Sequence, residues 1–218
     1  MEYIHNTEQF QFHNTVVALG KFDGMHKGHQ LIFDELIQYK QLGYQAAVFS
    51  FDRPPLNMLK HKHMRVIYTT NEKIKLLARR GIDIYIEHPF TDEFSHLSPE
   101  DFVIKVLLEK TGMKVLVVGD DCGFGYKRQG NVELLKRMSK EYDFKLIVIP
   151  KLELKGEIVS STRIRRLLSE GKVEEANRLM EDPFMICGPV VHGNHMGAEV
   201  LQMPTANQIP LENKLLPP

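Results

Sequence analysis

Cysteine is scarce in this chain and net charge is absent. Cys122 and Cys187 are the two cysteines among 218 residues. Two are too few for a disulfide framework, so a reduced, cytoplasmic setting is the expectation. Lys plus Arg number 28 and Asp plus Glu number 28. No global field therefore favours nucleic acid or an anionic membrane as partner, and any anion must be met by a local cluster. No apolar run approaches the roughly 18 residues of a membrane span. The N-terminal MEYIHNTEQF has neither a basic flank nor an apolar core, so no secretory leader is expected. Internal repeats and low-complexity tracts are also missing.

What is present is an alternation. Short Val- and Ile-rich runs begin at Thr15, Gln45, Asp83, Lys114 and Lys145. Each is nearly continuous in its apolar residues, as strands covered on both faces are. Helical patterns lie between them: about Lys27 to Leu42, NEKIKLLARR from Asn71, a stretch opened by Ser98-Pro99, and another after Asn131. Serine followed by proline is a capping residue and a first helical position. Strand and helix in repetition predict an α/β fold with a parallel sheet, a Rossmann-like domain over residues 1–183. Sites in such folds lie at the carboxyl ends of the strands. After Pro183 the style changes to Gly- and Pro-rich segments without helical period. Residues 184–218 are too short for an unassisted fold, which needs roughly 40 residues, so they dock on the first unit or form a fragment.

Three clusters carry chemistry. GKFDGMHKGH, Gly20 to His29, falls where the first of these strands hands over to a helix. Its glycines allow close backbone approach, the helix start offers free N–H groups to an anion, and His26 and His29 can bond phosphate oxygens. A zinc reading of this H-x-G-H lacks a third ligand of obvious spacing. VSSTRIRR, Val159 to Arg166, sets Arg163, Arg165 and Arg166 in the first turns of a helix capped by Ser160, Ser161 or Thr162. Positive charge there opposes the helix dipole, a conflict that a bound polyanion resolves. GDDCGFGYKRQGN, Gly119 to Asn131, suits a loop enclosing a flat polar ligand, and equally a plain glycine loop. Two further stretches are set aside. RMSK at Arg137 to Lys140 falls inside a predicted helix, and KHKHMR at Lys60 to Arg65 reads as a solvated basic loop.

Together these segments resemble the H-x-G-H nucleotidyltransferases. More narrowly the chain resembles the prokaryotic FAD synthetase family, the bifunctional riboflavin kinase/FMN adenylyltransferases. The resemblance rests on ALGKFDGMHKGHQ, SFDRPP, the G-x-D-x-x-F-G of Gly119 to Gly125, VSSTRIR, and MPTAN at Met203 to Asn207. It implies transfer of AMP from ATP to FMN with magnesium, giving FAD and pyrophosphate. It implies that residues 184–218 are the start of a riboflavin-kinase-like domain, a short β/loop fragment of a kinase-type barrel. Alternatives are a bifunctional enzyme, another acceptor on the same fold, or a non-catalytic nucleotide- or flavin-binding protein. By resemblance Gly20, Phe22, Asp23, Gly24, His26, Gly28 and His29 hold ATP, with the histidines supplying charge. Ser161, Thr162, Arg163 and Arg165 hold the triphosphate from the other side. His26, His29 and Arg163 are the expected catalytic residues. Phe51, Asp121, Phe124 and Gly125 are expected by the flavin, and Thr205 and Asn207 are residual magnesium and ATP ligands of the kinase type. Expected partners are small molecules alone, with no nucleic acid and no membrane. Departures from the family pattern are Lys21 for Asn, Arg53 and Pro54 within F-x-P-H-P, Cys122 for an aromatic residue, and Ala198 and Gln202 before PTAN.

Overall fold

The structure, a computed structural model, describes residues 1–52, 65–191 and 207–218. Among these, six strands form one sheet: β1 (Glu2–His5), β2 (Thr15–Leu19), β3 (Gln45–Phe51), β4 (Ile84–His88), β5 (Met113–Gly119) and β6 (Lys145–Ile149). Their order is β1-β4-β3-β2-β5-β6, and every neighbouring pair is parallel. β2 shows why the sheet is covered twice. Val16 and Ala18 face one core cluster with Phe33, Leu36, Leu76 and Ile164. Val17 and Leu19 face the other, with Phe49, Phe102, Leu107 and Leu135. The period of two along a strand sends alternate apolar side chains to opposite faces.

Most of the described helical segments begin at a side-chain cap, and Val173–Leu179 is one that does not. α1 (Lys27–Gln41) is capped by His26, and α2 (Thr70–Arg79) by Thr69 in a reciprocal box with Glu72. Pro99–Asp101 is capped by Ser98 and continues as a π-helical stretch, Phe102–Leu108. α3 (Val132–Glu141) is capped by Asn131, and α4 (Ser161–Ser169) by Ser160. A short hairpin (Glu153–Leu154 with Glu157–Ile158) precedes α4, and α5 (Val173–Leu179) follows it.

The five expected strands and the expected helices are present. β1, the hairpin and α5 were not foreseen. The strand order also fixes where a ligand can enter. From β2 the chain moves to β3 and β4 on one side and to β5 and β6 on the other. The switch therefore lies between β2 and β5, and their C-terminal loops flank a crevice there. Those loops are GKFDGMHKGH and GDDCGFG.

The C-terminal residues dock on the first core. Phe184 and Met185 pack against it, and Leu215, 7% exposed, is part of it. Val190–Val191 and Asn207–Gln208 pair as a short antiparallel ribbon.

Candidate active site

The loop after β2 is a tight, strained turn. Phe22 and Met25 have φ of 49° and 43°, left-handed values that cost a non-glycine residue about 1–3 kcal/mol each. Burial offsets that cost: Phe22 is 3% exposed against Phe33, and Met25 is 4% exposed. The glycines clear space for rings. A Cβ on Gly20 would stand 2.9 Å from the Phe22 ring, and one on Gly28 would stand 3.2 Å from His26 Nδ1. Their role here is internal packing as well as access.

His26 and His29 stack with ring centroids 3.6 Å apart. His26 Nδ1 accepts from the His29 backbone N–H at 3.3 Å, which caps α1 and leaves the His26 proton on Nε2. Burial holds His26 neutral, its pKa pushed down to about 4, and Asp121 across the crevice pulls only partly the other way. Burial also drives His29 well below its ordinary value, with the His26 charge adding to that. His29 Nδ1 is buried without a hydrogen-bond partner among the described residues. The sequence reading made these histidines a source of charge. In the structure burial and stacking favour the neutral imidazole at both, each keeping one N–H, because desolvation and mutual repulsion oppose a positive charge on either ring.

Two contacts join this turn to the start of α4. Gly24 N–H donates to Ser161 Oγ at 3.2 Å, and Arg165 Nη2 meets Asp23 Oδ2 at 2.5 Å. Glycine at 24 eases that approach, since a Cβ would stand 3.0 Å from Ser161 Oγ and crowd it. Arg165 Nη1 also donates to the Arg65 carbonyl. Arg163 binds Glu157 through Nε at 3.0 Å and donates to the carbonyls of Leu154 and Glu157. Glu157 lies 3.8 Å from Arg166 as well. Part of the conflict between arginines and helix dipole is thus relieved by a carboxylate from the hairpin, a residue the sequence did not single out. Thr162 is exposed on the first turn of α4.

On the other side of the crevice, Phe124 is 5% exposed within the second core cluster, and its backbone pairs with Gly130. Gly125 has φ of 69°, and a Cβ there would stand 2.7 Å from Pro99. Phe51 ends β3 among Phe49, Phe90, Phe94 and Phe102. Asp121 is exposed and pairs with Lys151 at 3.2 Å. Cys122 packs against the same apolar cluster, and burial pushes its thiol up to about 12, so it is no nucleophile. Lys21 is exposed as a residue, yet partial desolvation of its ammonium favours a pKa below the ordinary value, opposed by Asp23 and reinforced by the positive charges of Arg128, Arg165 and Lys73. These cations reach it from the β5 loop, α4 and α2; Lys73 had no signal in the sequence. A cavity of about 330 Å³ opens against Pro99, Gln129, Asn131 and Arg137 and is lined by none of the expected site residues. Asn207 lies in the C-terminal ribbon. Thr205, Arg53, Pro54, Ala198, Gln202 and most of KHKHMR lie outside the described residues.

A parallel α/β sheet with an H-x-G-H turn and a Ser-Thr-Arg helix start tied together at its switch point defines a nucleotidyltransferase-type enzyme. A family model described as FAD synthetase matches residues 8–163, and one described as riboflavin kinase matches residues 180–218. The chain belongs to the FAD synthetase family. A Buchnera aphidicola protein (subsp. Schizaphis graminum) named bifunctional riboflavin kinase/FMN adenylyltransferase is 39% identical to it, covering 96% of this chain and 69% of its own. A Listeria monocytogenes protein of the same name is 35% identical, covering 99% and 69%. A second Listeria protein, named FAD synthetase, is 32% identical, covering 87% and 77%. Among solved structures, a Streptococcus pneumoniae protein described as a macrolide-efflux protein is similar with a TM-score of 0.84 at 30% identity, over 99% of this chain and 70% of that one.

Proposed function

We propose that this enzyme transfers AMP from ATP to FMN in the crevice between the β2 and β5 loops, giving FAD and pyrophosphate. The observation that carries the reading is the bond from Gly24 N–H to Ser161 Oγ, which makes one cradle of two clusters far apart in sequence. An FMN phosphate oxygen attacks the α-phosphorus of ATP. The bond from that phosphorus to the oxygen bridging it to the β-phosphate breaks, and pyrophosphate leaves with the electron pair. The nucleophile is ionised at neutral pH, so no general base is required. Positioning and stabilisation of charge remain. In this reading His26 and His29 act as neutral donors to the phosphates. Arg163, exchanging Glu157 for phosphate, supplies positive charge, with Arg165, Ser161 and Thr162 beside it. Gly20, Phe22, Asp23, Gly24 and Gly28 shape the turn. Phe51, Phe124 and Gly125 frame the flavin side, and Asp121 lies at its rim.

Magnesium belongs to the reading as the counter-ion of ATP. It keeps much of its water and binds chiefly phosphate oxygens. Among the described residues no three His, Cys, Asp or Glu side chains stand together as a ligand group. The same reading divides the chain at residue 183, with Asn207 and Thr205 assigned to the riboflavin-kinase-like start; the two family matches support that division. Small-molecule partners alone and a cytoplasmic setting complete it, supported by balanced charge and two free cysteines. No helix of the described residues is long and apolar enough to cross a membrane.

Purified chain with ATP, magnesium and FMN should form FAD and pyrophosphate in equal amounts by chromatography. Phosphopantetheine or nicotinamide mononucleotide as acceptor should give no product. Adenylylation of one of these, and none of FMN, overturns the reading.

A further inference from the structure

Lys214, near the C-terminus, is 1% exposed. A buried ammonium needs every N–H satisfied, and here each is. Nζ donates to the Ile67 carbonyl at 2.6 Å, the Met185 carbonyl at 2.7 Å and Glu72 Oε2 at 2.7 Å. The rings of Tyr68 and Phe184 close the cage, with centroids 4.9 and 4.4 Å from the nitrogen. Glu72 is equally committed, accepting also from Thr69 N–H at 2.8 Å and Cys187 N–H at 2.7 Å.

The residues this cage grips lead directly to the ATP cradle. Arg65, Val66 and Ile67 form a strip whose backbone bonds alternate between two neighbours. Val66 N–H donates to the Asn213 carbonyl at 2.7 Å, and Leu215 N–H donates to the Val66 carbonyl at 2.8 Å. Those bonds, with the Lys214 contact to Ile67, face the tail. On the other side Ile67 N–H donates to Asp23 Oδ1 at 3.1 Å, and the Arg65 carbonyl accepts from Arg165. Asp23 and Arg165 are the pair that ties the β2 loop to α4. The strip is thus held by the tail along one edge and holds the cradle along the other.

We propose that Lys214 is a positioning residue for ATP: through Ile67 and its neighbours it fixes Asp23 and Arg165 at the mouth of the cradle. The inference rests on the reading that this pair serves ATP. A lysine suits the task because one ammonium pins three acceptors from separate segments, near residues 67, 72 and 185. Loss of that pin lets the strip move relative to the cradle. Misplacement of a binding group by about 1 Å costs on the order of tenfold to a hundredfold in rate or affinity.

The test uses the whole chain. Lys214→Met leaves Glu72 buried and unpaired, so Lys214→Met/Glu72→Gln, which removes both charges, is made beside it. Leu179→Ala, in the same core but outside the strip, serves as a stability control. ATP affinity is read by isothermal titration, and KM for ATP, KM for FMN and kcat by FAD formation. Both Lys214 variants should weaken ATP binding and raise KM for ATP about tenfold, on the scale of ordinary coupling between sites. KM for FMN should move less than about twofold, within the smallest such coupling, and Leu179→Ala should leave ATP affinity unchanged. Unchanged ATP affinity in a folded Lys214→Met/Glu72→Gln protein overturns the inference. So does an equal loss of ATP affinity in Leu179→Ala. If the wild type binds ATP but forms no FAD, the proposed reaction falls while the ATP affinities still decide the role of Lys214. If the wild type binds no ATP, both fall.

Discussion

The loop after β2 and the loop after β5 face each other across one crevice, yet they are held by different means. The first hangs on polar contacts reaching across the chain: Gly24 to Ser161, Asp23 to Arg165 and to Ile67. Its backbone is strained at Phe22 and Met25. The second is anchored by a side chain driven into the core, Phe124, and by local pairing of Phe124 with Gly130. Its charged residues turn outward, as Asp121 does to Lys151. In the proposed reading the difference matches the two ligands. A triphosphate calls for fixed donors and cations, and their geometry must be supplied by bonds between elements. A flavin ring calls for an apolar wall, and packing alone supplies that. Substitutions on the first side should therefore change rate and ATP binding more than stability. On the second side the order should reverse.

The largest expected effect lies on the packed side. Phe124→Ala should lower stability by about 3–5 kcal/mol, the range for deleting a buried phenylalanine. Urea unfolding would measure it. A loss below about 1 kcal/mol would show that the loop is not anchored by this ring.

His29→Ala comes next, and it should separate the two sides most clearly. FMN adenylylation should fall about 10²-fold or more, the scale for removing a preorganised donor to developing charge. The melting temperature should change little beside that of Phe124→Ala. Wild-type turnover in this variant would remove the histidines from the cradle.

Arg163→Ala should cost about 10- to 10²-fold in kcat/KM, the worth of a charge-assisted hydrogen bond, and mainly through ATP. The lower end is expected, because Glu157 and two carbonyls already hold the guanidinium. A change confined to FMN would put the start of α4 on the wrong side of the crevice.

A further effect is on pH dependence. His26 is neutral when folded, with a pKa of about 4 against an ordinary 6.5. Between those values the unfolded chain binds a proton that the folded chain refuses. The stability His26 contributes is therefore complete above about pH 6.5 and is lost as pH falls towards 4. Melting temperature should drop over that interval, and drop less steeply in His26→Asn, whose side-chain oxygen can still cap α1. Parallel curves for the two proteins would show that His26 titrates normally.

Much of this was legible in the sequence, and what was missing has a common cause. β2, β3 and β5 announced themselves because central strands covered on both faces are almost wholly apolar. Ser98-Pro99, Asn131 and Ser160 announced helix starts through local chemistry. The clusters at Gly20 to His29 and Ser160 to Arg166 were visible as patterns. β1 was not, since EYIH is an edge strand with exposed ends and no continuous apolar run. Glu157 and Glu72 were not visible either. Each acts by meeting a residue brought to it by the fold, and Lys214 reaches Glu72 across most of the chain. The neutrality of His26 and His29 also escaped, because it comes from stacking and burial that only the folded turn creates.

The central claim is that the β2 loop and the start of α4 form one phosphate cradle, joined by Asp23 and Arg165. A double-mutant cycle tests it most directly: ATP affinity and kcat/KM for the wild type, Asp23→Ala, Arg165→Ala and the double variant. Groups that work through one contact lose little more together than apart. The account predicts that the double variant is about as impaired as the worse single one. If the two losses instead multiply, the two elements act independently and the single cradle is contradicted.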